Sequence, residues 1–73
     1  MSQSTKNAKL RQVLTAARKR AGLSQRALSG KLKRPVTFAS KVESGERELA
    51  VAELGEYCAA IGLDAADVIK LVG

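Results

Sequence analysis

The 73-residue sequence contains no histidine, no tryptophan and only one cysteine. A single cysteine cannot form an internal disulfide, which excludes a disulfide-stabilised scaffold of the secreted type. The absence of histidine and of a second cysteine also excludes zinc fingers and Cys–His nucleophile pairs. We therefore expect no metal, no cofactor and no enzymatic activity. Cys58 falls on an apolar helical stripe, and we interpret it as a core residue.

Long apolar runs and aromatic side chains are also scarce. No apolar stretch is long enough to span a bilayer, and the polar segment 1–9 is unlike a signal peptide. Phe38 and Tyr57 are the only aromatic residues. This argues against RNA-binding and single-strand-binding surfaces, which stack several bases on aromatic rings. The sequence thus predicts one small, soluble, cytoplasmic domain.

Acidic residues are missing from the first part of the chain. Residues 1–42 contain eleven basic residues and no acidic one, whereas residues 43–73 contain two basic and seven acidic residues. The two formal charges are +11 and −5, and they sum to the +6 of the whole chain. This separation indicates a polyanionic partner on the basic side, and the two candidates are nucleic acid and an anionic membrane.

Apolar residues at helical intervals predict the first of five short helices. They recur from Leu10 to Ala21 with the spacing of one helix face. This helix is expected over about residues 7–21, after a frayed N-terminal arm at residues 1–6. Residues 7–73 then form a single all-α domain without strands.

Cap residues delimit the helices that follow. Ser24 is a good N-cap for the second helix, and Pro35 is expected to open the third. The fourth helix directs an apolar stripe, from Val51 to Ile61, toward the core. Asp64 is expected to cap the fifth helix.

The second and third helices have the proportions of a helix-turn-helix over about residues 24–44. They are short, they are joined by a link at residues 33–35, and they belong to a basic domain. Ala39 and Val42 of the third helix are expected to face the core. The opposite, exposed face then carries Val36, Thr37, Ser40, Lys41 and Ser44.

The same region resembles the phage-repressor/Cro-type helix-turn-helix family, also called XRE-like. The likeness begins with Gly-Leu-Ser-Gln at residues 22–25, continues through residues 38–45 and covers about residues 10–69. It implies a compact five-helix, lambda-repressor-like fold whose third helix enters the major groove of DNA. It also implies a homodimeric repressor or autoregulator that binds a palindromic operator, in the cytoplasm of a prokaryotic cell or of a phage-infected host.

From the resemblance and from the exposed face of the third helix we predict two sets of DNA contacts. Base edges in the major groove would be contacted by Val36, Thr37, Ser40 and Lys41. Phosphate contacts, which position the protein without reading sequence, are expected from Ser24, Gln25, Arg26, Lys33, Arg34, Ser44 and Arg47. Lysine at position 33 and valine at position 36 depart from the family, in which a glycine and a polar residue are usual.

The resemblance also predicts a structural ion pair between Arg18 and Glu43, which would join the first helix to the third. Apolar residues of the fifth helix point around more than half of its circumference, so some of them remain exposed. We expect an isologous dimer interface formed by Ile69, Leu71 and Val72.

Two other functions remain open. An antitoxin-type module would bind a protein toxin as its main partner, with DNA binding as autoregulation. A membrane-surface binder would need bulky apolar anchors beside a basic helix face, whereas the first helix has only Leu, Val and Ala on its apolar side. The expected partners are therefore a double-stranded DNA operator and a second copy of the chain, with no membrane and no metal.

Overall fold

A computed structural model describes the backbone of residues 2–72 and the side chains of residues 7–72. Over this part of the chain the regular structure consists of five helices and no strand, which confirms the predicted all-α class. The helices are α1 (Ser2–Arg20), α2 (Gln25–Lys31), α3 (Phe38–Ser44), α4 (Val51–Ala60) and α5 (Ala65–Val72). None of these helices combines the length and the apolar character needed to cross a membrane.

The first helix is longer than the apolar spacing predicts. Its helical backbone begins at Ser2 instead of near residue 7, because this segment contains no proline or glycine that would stop it. Helical backbone therefore extends into the predicted arm of residues 1–6. Met1 and the side chains of residues 2–6 lie outside the described part of the chain.

The core forms where one face of each helix meets the others. Ala39 and Val42 of α3 are buried, as predicted, and so is Cys58 of α4. Burial raises the pKa of the Cys58 thiol, so this cysteine remains protonated at neutral pH. The other helices contribute Leu14 from α1, Leu28 from α2, Tyr57 from α4 and Val68 from α5.

The prediction that Val51 faces the core is wrong. This side chain is 87% exposed. Val51 is the first residue of α4, and the contacts of this helix with the core begin one turn later, at Leu54. Helical spacing gives the direction of a side chain, but it does not show where along the helix the packing starts.

The third helix begins at Phe38, three residues after the predicted start at Pro35. Val36 and Thr37 form a turn instead, closed by a 2.9 Å hydrogen bond from the Phe38 N–H to the Pro35 carbonyl oxygen. Thr37 has φ −91° and ψ 2°, which are the angles of the third residue in a type I turn. Val36 and Thr37 therefore precede α3 and are not part of its first turn.

A buried serine of α2 takes over the capping of α3. The Ser29 hydroxyl donates to the Gln25 carbonyl oxygen (2.9 Å) and accepts the N–H of Ala39 (2.9 Å), and Ser29 is completely buried. Among the described residues, no N–H of α3 is capped by the side chain of Thr37, which occupies the N-cap position. Ser29 thus satisfies a free N–H in the first turn of α3 and fixes α3 against α2.

The end of α2 forces Lys33 into the left-handed region, with φ +58°. The N–H of Lys33 donates to the Gly30 carbonyl oxygen (3.0 Å), and the N–H of Arg34 donates to the Ser29 carbonyl oxygen (2.9 Å). These two bonds form a Schellman motif, in which glycine is the preferred residue at the position of Lys33. The departure from the family at position 33 therefore introduces a backbone strain of about 1 kcal/mol.

We predict that Ser29→Ala lowers the free energy of unfolding by about 1–3 kcal/mol, because the buried N–H of Ala39 loses its acceptor. Ser40→Ala is the matched control. The Ser40 hydroxyl donates to the Thr37 carbonyl oxygen in a hydrogen bond that is open to solvent, so water can replace it. Urea unfolding followed by circular dichroism measures both losses, and equal losses would contradict the capping role of Ser29.

Candidate nucleic-acid interface

The residues predicted to read bases lie around the N-terminal end of α3. Val36 and Thr37 are exposed in the preceding turn, and Lys41 is exposed one helical turn after Thr37. Ser40 is partly buried, and its hydroxyl is already bonded to the Thr37 carbonyl oxygen. Val36 is 53% exposed and offers an apolar surface of the kind that contacts a thymine methyl group.

Two predicted base contacts and two predicted phosphate contacts meet around one shallow depression beside α3. Its volume is about 270 Å³, and its lining residues are Arg34, Pro35, Thr37, Phe38, Lys41 and Arg47. Three of these six residues carry a positive charge. The depression therefore combines groups that can bind a phosphate with groups that can reach base edges.

The other predicted phosphate contacts are distributed over α2 and the ends of α2 and α3. Ser24 caps α2, because its Oγ accepts the N–H of Ala27 (3.0 Å). Gln25 is partly buried, and its side-chain amide donates to Glu43 within the protein. The exposed members of this group are Ser24, Arg26, Lys33 and Ser44.

Arg18 and Glu43 come together as an ion pair that is almost completely shielded from solvent. Arg18 Nε lies 2.6 Å from Glu43 Oε2, and the side chains are 10% and 9% exposed. Arg18 also donates to the Leu23 carbonyl oxygen (2.7 Å), and Gln25 Nε2 donates to Glu43 Oε1 (2.9 Å). One hydrogen-bonded group therefore links α1, the turn after it, α2 and α3.

Glu53 organises a second charged cluster, which the sequence analysis missed. Its carboxylate accepts from Arg47 through both oxygens (2.9 and 2.6 Å) and from Arg34 (2.8 Å). It also accepts the N–H of Ala50 (2.9 Å). We call Glu53, Arg34 and Arg47 the Glu53 clamp. Only the bond from Ala50 has a sequence signal, since a glutamate at the third position of a helix can bond back to the N-cap residue.

Both guanidinium groups of the Glu53 clamp lie over the ring of Phe38. The Cζ atoms of Arg34 and Arg47 are 4.9 and 5.3 Å from the ring centroid. The Phe38 ring is in turn 6.2 Å from the ring of Tyr57, which is fully buried. Cation–π attraction and the shared carboxylate together tie both arginines to the first residue of α3 and to the core.

The residues predicted to form a dimer interface lie on α5. Ile69 and Leu71 are 53% and 59% exposed, and Val72 is partly buried. Val68 on the same helix is buried, so α5 has one apolar side in the core and a second one at the surface.

The chain is similar in sequence and in fold to known helix-turn-helix proteins. A family of helix-turn-helix domains matches residues 9–71. The structure of an XRE-family like protein from Pseudomonas syringae pv. tomato str. DC3000 superposes with a TM-score of 0.90. The two sequences are 34% identical, and the match covers 96% of this chain and 85% of that one. The chain belongs to the XRE-like helix-turn-helix family. No curated protein matches the sequence.

The XRE-like family is a family of DNA-binding regulators, and the predicted resemblance and five-helix fold are confirmed. In helix-turn-helix domains the second helix of the motif is the one that enters the major groove. In this XRE-like chain the second helix of the motif is α3. The depression and the Glu53 clamp lie at its N-terminal end.

Hydrogen bonds hold the pKa of Glu53 at about 2, well below its ordinary value of 4.5. The bonds from Arg47 have the largest effect on this pKa, and the bond from the N–H of Ala50 has the next largest. Because the pKa is lower in the folded chain than in the unfolded one, ionised Glu53 stabilises this XRE-like domain above about pH 4.5. This contribution is lost as the pH falls from 4.5 toward 2.

We predict that the urea midpoint of the wild type falls more steeply through this acidic range than that of Glu53→Gln, which cannot lose the ionised carboxylate. Glu56→Gln is the control, since Glu56 is exposed on the same helix. It should keep the pH dependence of the wild type. Parallel curves for the wild type and Glu53→Gln would show that Glu53 does not contribute to the acid sensitivity.

Proposed function

We propose that the protein is a sequence-specific transcriptional regulator that binds a palindromic double-stranded DNA operator as a homodimer. Its function is repression, including repression of its own gene. The observation that carries this proposal is the depression beside α3, where Thr37 and Lys41 lie next to the arginines of the Glu53 clamp. The basic first part of the chain, with a charge of +11 over residues 1–42, supports a polyanionic partner.

The residues at and just before the start of α3 recognise the bases. Lys41 donates to guanine O6 and N7, Thr37 donates or accepts, and Val36 packs on a thymine methyl group. Ser40 has a smaller part, because its hydroxyl is bonded to the Thr37 carbonyl oxygen. The orientation of these side chains is supported by the capping bond of Ser29, which fixes where α3 begins.

Phosphate contacts on both sides of α3 orient the domain on the duplex. Arg26 and Lys33 are exposed and act as simple cations. Arg34 and Arg47 act from within the Glu53 clamp. The remaining contacts come from the hydroxyls of Ser24 and Ser44 and from the amide of Gln25, which also braces Glu43. These groups set the register without reading sequence.

The homodimer forms through the exposed side of α5. Ile69 and Leu71 present apolar surface there, and Val72 extends it. A two-fold contact between these residues is isologous, so one patch serves both subunits. Two copies joined in this way place two α3 helices into successive major grooves about 34–36 Å apart.

Selection of bound sequences from a random duplex library tests the function directly. The expected result is one palindromic sequence, whose half-site spacing reports the dimer geometry. Binding should also depend on salt. If the dimer neutralises about 6–10 phosphates, affinity falls roughly 10³–10⁵-fold between about 50 and 200 mM salt. A flat dependence of affinity on salt would refute nucleic acid as the partner.

Lys41→Ala and Arg26→Ala each remove one exposed positive charge, and we predict different consequences for them. Lys41→Ala should cost about 1–3 kcal/mol on the selected operator and relax the preference at one base pair. Arg26→Ala should weaken all duplexes about equally and lower the salt slope by about one. Fluorescence anisotropy on operator and scrambled duplexes measures both effects. Unchanged base preference in Lys41→Ala would mean that α3 is oriented differently in the groove.

Ile69→Lys is predicted to convert the dimer into a monomer, because a charged group would be buried at the centre of the α5 contact. Val51→Lys is the matched control, since Val51 is also an exposed apolar residue, but on α4. Analytical ultracentrifugation at micromolar concentration should show a dimer for the wild type and for Val51→Lys. A dimeric Ile69→Lys variant would place the interface elsewhere.

A further inference from the structure

The carboxylate of Glu53 has no acceptor position left. Oε1 accepts from Arg47 and from the N–H of Ala50, and Oε2 accepts from Arg47 and from Arg34. A carboxylate offers about four lone-pair sites, and all of them are used. Glu53 is only 16% exposed, so water competes little for these bonds. The carboxylate is therefore a fixed point to which two arginines are attached.

Both arginines of the Glu53 clamp keep donors that the clamp does not use. A guanidinium has about five N–H donors in one plane. Within the described residues, Arg34 gives one of them to Glu53, whereas Arg47 gives two to Glu53 and one to the Glu48 carbonyl oxygen. The side chains of Arg34 and Arg47 are 36% and 39% exposed. Each can therefore bind a further acceptor without leaving Glu53.

The free donors lie where a DNA backbone would pass. Arg34 and Arg47 line the depression that also contains Thr37 and Lys41, and both guanidiniums lie over the ring of Phe38, the first residue of α3. A helix that enters the major groove at this end has a phosphate strand beside it. Two planar guanidiniums held next to each other match the bidentate geometry of phosphate oxygens.

We propose that Glu53 is a positioning residue for DNA binding, which holds Arg34 and Arg47 together as one preformed site for a backbone phosphate beside α3. This inference rests on the proposed function. Glu53 touches no DNA. It acts through the two arginines, because the side-chain order that phosphate binding requires is already present in the free protein.

Net charge alone predicts that Glu53 weakens DNA binding, which is the opposite of the positioning role. The residue is negative and lies next to the basic surface, so its removal raises the net charge and should strengthen binding to any duplex. If Glu53 positions the arginines, its removal frees two long side chains, and binding becomes weaker despite the added charge. The direction of the change therefore separates the two roles.

The experiment compares Glu53→Gln with Glu56→Gln, which makes the same charge change three residues further along α4. Glu56 is exposed, and it forms no ion pair among the residues that the structure describes. Binding to a non-operator duplex is measured by anisotropy over a series of salt concentrations, at a temperature where circular dichroism shows folded protein.

Glu56→Gln should bind at least as tightly as the wild type. Glu53→Gln should bind about tenfold more weakly, and the loss of one phosphate contact should lower its salt slope by about 0.9. If Glu53→Gln binds as tightly as Glu56→Gln with an unchanged slope, the positioning role is overturned. A wild type that binds no duplex at low salt overturns the proposed function itself.

A second comparison shows whether Glu53 acts through the two arginines. In a chain that carries Arg34→Ala and Arg47→Ala, adding Glu53→Gln should no longer weaken binding, because no arginine remains to be positioned. A further tenfold loss in this background would overturn the proposal.

Wild-type protein provides a readout that does not depend on the folding of any variant. NMR signals of the Nε–H groups of Arg34 and Arg47 should be sharp in the free domain and should shift together when a duplex is added. The Nε–H of Arg20, which is exposed at the end of α1, serves as the reference. Averaged, mobile signals from Arg34 and Arg47 in the free protein would overturn the preformed site.

Discussion

The orientation of α3 depends on the buried carboxylate of Glu43. This residue is the first acidic one in the chain, and it accepts hydrogen bonds from Arg18 on α1 and Gln25 on α2. Desolvation offsets much of the attraction in such a pair, so its contribution to net stability is small. Its contribution to geometry is larger, since loss of either charge would leave the other shielded from solvent without its counter-ion. The angle of α3 relative to α1 and α2 is therefore set by a carboxylate that is not among the predicted base contacts.

The parts of the fold that sequence could predict are those determined by neighbouring residues. Ser24 caps α2, and Asp64 Oδ1 accepts the N–H of Ala66 (2.8 Å) in the first turn of α5. Both interactions span two or three residues. The start of α3 could not be predicted in this way, because it depends on Ser29, whose hydroxyl reaches the N–H of Ala39 from another helix. A proline at position 35 indicates that a helix can begin nearby, but the exact start follows from tertiary packing.

The candidate site likewise has one part that the sequence predicts and another that only tertiary structure reveals. The resemblance to a known family directs attention to the exposed face of α3 and to the pair formed by Arg18 and Glu43. The Glu53 clamp was missed because its partners are 19 and 6 residues away in the sequence. In the sequence, Arg34 and Arg47 each look like an independent surface cation. Only the three-dimensional structure shows that they share one carboxylate and one aromatic ring.

The separation of charge along the sequence therefore has two roles. A charge of +11 on residues 1–42 would by itself oppose a compact fold, because like charges repel. Glu43 and Glu53, from the acidic part, reduce this repulsion by pairing with Arg18 and Arg34 of the basic part. The exposed cations that remain include Arg26 and Lys41, for which we propose DNA contacts. The acidic residues that offset this charge therefore also determine which arginines are held in ion pairs and which cations of the basic part stay exposed.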